Sequence, residues 1–338
     1  IDGGQPWTAA LTVTFFRKKP AHVLYPSRKN CGEIVCVDIG ISDGMLNALT
    51  DVATQRRSAC LENLEPPPIK PLAPATHKYQ RGHCVVVSGP SSATGAARLA
   101  ARSALRVGAG LVTVAGEAAA IPVLSAALTS IMVREAGTPA ALHTLLEDKR
   151  YNAVVIGPGN GIGQATRDRV AVALSSLASV VLDADALTSF SEAPEALIKQ
   201  LTPRAVLTPH EGEFDRIFPN LLKQSPNKIE AARIAAQRAG AVVVLKGADT
   251  VIANPDGTTV VNTNAPPDLA TAGSGDVLAG IIGGLLAQGM PPFDAARTGA
   301  YLHGLCGRIA GPGLIAEDLP ELLPKAVEMA QKPGVSGL

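Results

Sequence analysis

The residues best suited to chemistry lie in Ala270-Thr-Ala-Gly-Ser-Gly-Asp276, which runs into Val277-Leu-Ala-Gly-Ile-Ile-Gly-Gly-Leu-Leu286. A Gly-x-Gly turn lets successive backbone amides converge, and the apolar run behind it reads as a buried helix whose positive end faces the turn. Such a turn is an anion cradle, with Asp276 at its lip as either a proton acceptor or an ordinary helix N-cap. Four further groups each follow a β-branched run: Gly157-Pro-Gly-Asn-Gly161, Asp183-Ala-Asp-Ala-Leu187, Thr208-Pro-His-Glu-Gly-Glu213 and Lys246-Gly-Ala-Asp-Thr250. Each alone has an everyday reading. The glycine turn is a tight loop, or it lets a large planar or phosphorylated ligand lie against backbone. Of the paired aspartates, one steers metal or water while the other caps the next helix. His210 and Glu213, about one helical turn apart, share a face as ligand contacts or as satisfied structural residues. Lys246 to Thr250 wraps a nucleotide phosphate, or is common turn chemistry. Open α/β sheets bind ligands where their strands end, and five polar groups on one such edge, four of them glycine-bearing, are not five independent turns.

The elements that must position these groups are legible as short runs, each followed by helical spacing: Cys84-Val-Val-Val-Ser88, Leu111-Val-Thr-Val114, Ala153-Val-Val-Ile156, Ser179-Val-Val-Leu182, Ala205-Val-Leu207 and Ala241-Val-Val-Val-Leu245. Several start about 26 residues after the previous one, room for a strand, a helix and a return loop. The expected fold is α/β, a three-layer α/β/α sandwich with a mostly parallel central sheet. Thr250-Val-Ile-Ala253 and Thr258-Thr-Val-Val261 flank Asn254-Pro-Asp-Gly257 and predict a hairpin, hence a mixed edge. Ser88-Gly-Pro-Ser-Ser-Ala-Thr-Gly95 lacks both the lysine of a Walker loop and the spacing of Gly-x-Gly-x-x-Gly, which disfavours a Walker ATPase and a dinucleotide dehydrogenase.

Among 338 residues, 30 Lys+Arg face 29 Asp+Glu, so the chain lacks the basic field of non-specific nucleic-acid binding. With 3% aromatics there are few stacking platforms, and no nucleic-acid partner is expected. The 46% of hydrophobic residues suffice for a core. The longest apolar stretch, around Val277 to Ala287, falls short of the roughly 20 residues of a membrane span, so no membrane partner is expected either. Five cysteines without C-x-x-C spacing indicate neither a disulfide framework nor a zinc site, and a cytoplasmic location is expected. Ile1 opens the chain without a charged-then-apolar leader, which suggests a truncated or processed product rather than a secretory precursor. Pro66, Pro67, Pro68, Pro71 and Pro74 predict a linker over 61–75, between a segment 1–60 and a main domain 76–334. The first segment offers two strand-like runs, Leu11-Thr-Val-Thr-Phe-Phe16 and Glu33-Ile-Val-Cys-Val-Asp38, too few to bury a core alone. Alanine-rich, weakly charged helices suit contacts between copies as well as cover for a sheet, and a homo-oligomer is expected.

In this order the groups resemble the ADP- or ATP-dependent NAD(P)H-hydrate dehydratases, the carboxy-terminal domain of bifunctional NAD(P)H-hydrate repair enzymes, in the ribokinase-like superfamily. The match covers about 75–330 and is carried by the five groups above with Thr94-Gly-Ala-Ala97 and Arg106-Val-Gly-Ala-Gly-Leu-Val-Thr113. It implies Asp276 as base toward a substrate hydroxyl, with Gly273, Ser274 and Gly275 stabilising the phosphoryl group in flight. It implies Lys246, Gly247, Ala248, Asp249, Thr250 and Gly275 around the adenine nucleotide. Ala96, Gly159, Gly161, His210 and Asp276 would touch the hydrated cofactor. Glu213 stands where related kinases associate a glutamate with Mg2+, here through water. The implied reaction phosphorylates the ring hydroxyl of the S-epimer of NADH or NADPH hydrate from ADP or ATP, then expels phosphate, a net dehydration. His210 replaces the asparagine of the kinases' Asn-x-x-Glu motif, which favours the dehydratase over an alcohol kinase of the same superfamily. A nucleotide-binding protein in which Asp276 only caps a helix is a third reading. Residues 1–60 resemble the tail of the partner epimerase domain through Lys19-Pro-Ala-His-Val-Leu24, Cys31-Gly32 and Asp38-Ile-Gly-Ile41, without the epimerase's upstream substrate loop, so epimerase activity is not expected. One departure is Asn262-Thr-Asn-Ala-Pro-Pro-Asp-Leu269, where a glycine-richer approach to the turn is expected.

Overall fold

The computed structural model describes residues 7–41, 61–64, 69 and 72–331. Pro66, Pro67, Pro68 and Pro71 of the expected linker lie outside the described residues. The strands are β1 (Leu11–Phe15), β2 (Glu33–Val37), β3 (Leu61–Glu62), β4 (His83–Val87), β5 (Leu111–Gly116), β6 (Met132–Glu135), β7 (Ala153–Ile156), β8 (Ser179–Leu182), β9 (Ala205–Leu207), β10 (Val242–Leu245), β11 (Thr250–Ala253) and β12 (Thr259–Asn262). Ten of them form one sheet in the order β3-β12-β11-β10-β9-β8-β7-β4-β5-β6, and β1 pairs in parallel with β2. From β10 to β6 every neighbour is parallel, while β10-β11 and β11-β12 are antiparallel, so the expected hairpin forms a mixed edge.

The β-branched runs form strands because both faces of the sheet are covered. Alternate residues feed two cores: Val86, Val155, Val181, Val206 and Val244 on one face, Val85, Val154, Val180, Leu207 and Val243 on the other. Six helices of twelve or more residues supply most of the cover: α1 (Gly95–Arg106), α2 (Gln164–Ser175), α3 (Lys228–Ala239), α4 (Ser274–Ala287), α5 (Pro292–Ala310) and α6 (Asp318–Gln331). Helices α1, α4, α5 and α6 contribute to the first core, and α2, α3 and the short helix Glu211–Ile217 to the second. The result is the expected three-layer sandwich.

Helix α4 lies deepest. Twelve of its 14 residues are buried, and it packs on α1, α5 and strands β4, β7 and β8. It crosses α1 so closely that a Cβ on Gly280 would fall 2.2 Å from the Ala100 carbonyl oxygen. The alanines on the buried side of α1, Ala97, Ala100, Ala101 and Ala104, permit that approach. Two strands escape the sequence reading. Met132–Glu135, with its last two residues exposed, is an edge strand, and Leu61–Glu62 adds in parallel to the opposite edge within the stretch expected as linker. The segment 7–41 packs on the main sheet through Val23 and Leu24, both buried. Among the described residues no helix is long and apolar enough to cross a membrane.

Candidate active site

The chain lays down β4, β5 and β6 outward in one direction, then returns to the other side of β4 with β7 and continues to β10. Such a reversal opens a crevice at the carboxyl ends of the strands, and the glycine loop after β7 fills its floor. Asn160 holds that loop: its Oδ1 accepts the Gly157 amide at 3.1 Å while its Nδ2 donates to the Val87 carbonyl of β4 at 2.9 Å. Ala96, at the start of α1, adjoins the loop, since a Cβ on Gly159 would lie 3.7 Å from its methyl group.

The next loop, after β8, carries two carboxylates with opposite duties. Asp183 accepts from the Lys246 ammonium at 2.7 Å, and Asp185 accepts the Gly161 amide at 2.8 Å. Ala184 between them sits at φ 48, a backbone strain for a residue with a Cβ, and this kink separates the two partners. Lys246 also lies 3.9 Å from Glu213. Burial works against its ammonium, but Asp183, Glu213 and Asp276 together outweigh it and hold the pKa above the usual lysine value.

The Gly273–Gly275 turn closes over this lysine. Gly273 adopts φ 86, a conformation glycine reaches without strain, and α4 begins at Ser274. A Cβ on Gly275 would lie 3.5 Å from Lys246 Nζ and 3.9 Å from Asp183 Oδ2, so the turn, the lysine and the aspartate form one centre. Ser274 faces inward: its hydroxyl shares a hydrogen bond with His303 Nε2 of α5 at 3.0 Å, and its amide donates to the Thr271 carbonyl. Burial, reinforced by Lys246, pulls the His303 imidazole down to about 4, so it is neutral at pH 7. Helix geometry leaves the amides of Gly275 and Asp276 without intrahelical acceptors. Burial first, then the neighbouring Asp183 and Asp185, lifts the Asp276 carboxyl to about 6 against the pull of Lys246. A carboxylate poised there suits a general base near neutral pH.

The approach to the turn is pinned by asparagines rather than glycines. Asn262 donates to Asn264 Oδ1 at 2.8 Å and to the Ala300 carbonyl at 3.3 Å, while Asn264 donates to the Tyr301 carbonyl at 2.9 Å. In the loop after β10, Gly247 and Ala248 are exposed, and the loop is closed on itself by Thr250, whose hydroxyl donates to the Gly247 carbonyl at 2.9 Å. The Asp249 carboxylate turns away, accepting from Lys228 at 2.7 Å and from the Tyr25 amide at 2.9 Å.

His210 and Glu213 form a capping box on the helix Glu211–Ile217: His210 Nδ1 accepts from the Glu213 amide at 3.2 Å, and Glu213 Oε2 accepts from the His210 amide at 2.9 Å. The His210 ring remains exposed at the rim, whereas Glu213 is buried with its other oxygen 3.3 Å from His210 Nε2. Both Glu213 oxygens are thus engaged. Among the described residues no three His, Cys, Asp or Glu side chains are grouped to hold a metal, so the donor set does not fit an ion held by the protein alone.

The structure therefore joins Ala96, Gly159, Gly161, Lys246, Gly275 and Asp276 around one crevice and leaves the side chains of Ser274 and Asp249 directed away from it. The sequence alone assigned no role to Asn160 or His303, and for Asp183 and Asp185 it offered a carboxylate that steers metal or water beside one that caps a helix, not the partners found here. The two-residue spacing of Asp183 and Asp185 was the available signal, whereas His303, within an apolar helical stretch, carried none.

Residues 84–327 match the NAD(P)H-hydrate dehydratase family. The bifunctional NAD(P)H-hydrate repair enzyme Nnr of Moorella thermoacetica is 38% identical over 94% of this chain and 62% of its own length, so the chain spans about three fifths of that relative. Among solved structures, the ADP/ATP-dependent NAD(P)H-hydrate dehydratase of Bacillus subtilis, co-crystallised with ATP/Mg2+, superposes with a TM-score of 0.66 at 29% identity, covering 78% of this chain and 95% of that one. A ribokinase-like superfamily protein of Enterococcus faecalis gives a TM-score of 0.69 at 25% identity, covering 78% and 93%. With its ribokinase-like sandwich, and with most of its length matched, this chain belongs to the NAD(P)H-hydrate dehydratase family.

Proposed function

We propose that this chain dehydrates the S-epimer of NADH or NADPH hydrate with ADP or ATP as phosphoryl donor, over a domain spanning 76–334. The observation that carries the reading is Asp276, held near neutral pKa at the start of α4, beside the Lys246 ammonium and the Gly275 backbone. Asp276 takes the proton of the ring hydroxyl, whose oxygen attacks the terminal phosphorus of the nucleotide. The new O–P bond forms as the bond to the leaving nucleotide phosphate breaks, while Lys246 and the turn's amides stabilise the charge on the transferring group. Phosphate then leaves from the ring carbon as the ring nitrogen donates its electron pair, and loss of a proton from the adjacent carbon restores the dihydronicotinamide. Lys246 to Thr250 and Gly275 hold the nucleotide, and Ala96, Gly159, Gly161 and His210 line the place of the hydrated ring. The donor brings its own Mg2+, in keeping with the ATP/Mg2+ of the Bacillus subtilis structure. Residues 1–60 belong to the tail of an epimerase domain, joined through 61–75.

The test is absorbance at the reduced-nicotinamide band after the chain is added to NADH hydrate, magnesium and either ADP or ATP, with a nucleotide-free control. Nucleotide-dependent recovery with release of inorganic phosphate is the expected result. A phosphorylated product that accumulates without recovery would overturn the dehydratase in favour of an alcohol kinase.

A further inference from the structure

We propose that the amino-terminal segment clamps the nucleotide loop, so that nucleotide affinity depends on its docking; this rests on the loop Lys246 to Thr250 holding the nucleotide. The helical turn Pro20–Val23 inserts Val23 and Leu24 into the second core, where both are buried. That anchorage presents the Tyr25 amide to Asp249 Oδ2 at 2.9 Å. The other Asp249 oxygen accepts from Lys228 Nζ at 2.7 Å, and the same ammonium donates to the Lys246 carbonyl at 3.2 Å. Lys228 thus passes beneath the loop, and a Cβ on Gly247 would lie 2.4 Å from its nitrogen. Asp249 is buried and the Lys228 side chain nearly so, and the same ammonium also pairs with the exposed Glu211 at 3.1 Å, so the Asp249 carboxylate relies on Lys228 and the Tyr25 amide for its charge. A second tie runs to the strand that leads toward the catalytic turn: Arg28 donates to the Thr263 carbonyl at 3.3 Å, and Lys18 pairs at 2.6 Å with Glu62, whose other oxygen accepts from Thr263 Oγ1 at 3.2 Å. The segment therefore grips the loop at Asp249 and the residue that follows β12, Thr263. It acts as a positioning element. Removing the Tyr25 amide leaves one buried Asp249 oxygen without its donor, a loss felt at the exposed Gly247 and Ala248 that face the nucleotide.

The variant is Leu24→Asp, which undocks the anchor without altering the loop, with Leu24→Met as the conservative partner. Calorimetric titration with ADP reads nucleotide affinity directly, and steady-state kinetics separate KM for nucleotide, KM for the hydrate and kcat. Leu24→Asp is expected to weaken ADP binding roughly tenfold or more and raise KM for nucleotide alike, with kcat at saturating nucleotide and KM for the hydrate unchanged and Leu24→Met restoring the parent values. Unchanged ADP affinity in a folded Leu24→Asp would overturn the clamp, as would an equal loss in every parameter. Should Leu24→Asp fail to fold, Arg28→Gln is read in the same way for a smaller rise in the ADP dissociation constant, and no rise overturns the clamp. A parent chain that binds ADP yet restores no nicotinamide counts against the dehydratase reading alone, whereas a parent that binds no nucleotide sinks the clamp as well.

Discussion

Asp276 is asked to do two things that conflict. In the proposed mechanism it must be charged to accept a proton, yet its surroundings favour the neutral form and lift its carboxyl from 3.8 to about 6. Between those values the folded state holds the proton more tightly than the unfolded chain, so stability falls as pH rises through the window and the full cost is present above about 6. Asp276→Asn is therefore expected to keep nucleotide binding and to lose at least about a hundredfold in kcat. At pH 7 it should melt above the parent, and the difference should vanish as pH falls from 6 toward 4. Thermal melts at two pH values with one activity assay check all of this, and normal turnover would remove Asp276 from the mechanism. In the parent, log kcat/KM should rise with pH up to about 6 and then level, reporting this carboxyl.

Much at the scale of elements was legible because each chemical group follows a run that can only be a buried strand. The runs at 153–156, 179–182, 205–207 and 250–253 are strands with those bounds, and the helix behind Gly273 is buried as its composition demands. Through-space pairings were not legible. Lys246 meets Asp183 from 63 residues away, and His303 reaches Ser274 from another helix, neither of which leaves a local period. Edge strands β3 and β6 were missed for a related reason, since a short or half-exposed strand lacks the apolar run that marks a central one. The contact of α4 with α1 gives a prediction at this scale. Gly280→Val places carbon atoms where the Ala100 carbonyl already lies, and overpacking of this kind costs on the order of 1–3 kcal/mol or more. The expected outcome is a lower urea midpoint together with weakened nucleotide binding, because the displaced helix carries the turn. An unchanged midpoint would mean that the two helices part freely.

For the whole molecule, the order of the chain and the order of the sheet differ. Strand β4 comes first in the main sheet's parallel block yet lies between β5 and β7, and the face holding Val86, Val155 and Val181 is covered largely by helices that follow residue 273. A chain ending at Asn262 is expected to be degraded rapidly by protease, with no cooperative melt, since that apolar face has no cover. A sharp transition in this fragment would contradict the account. The same burial of α4 bears on synthesis and on loss of function. The turn that would receive phosphate is the leading edge of a helix that closes the core, so the fold and the cradle are expected to be lost together. Inactivation by heat and collapse of the far-ultraviolet circular dichroism should trace one curve, and added nucleotide, binding only the closed form, should shift both together. Activity in this protein thus doubles as a gauge of how many molecules in a sample are fully folded.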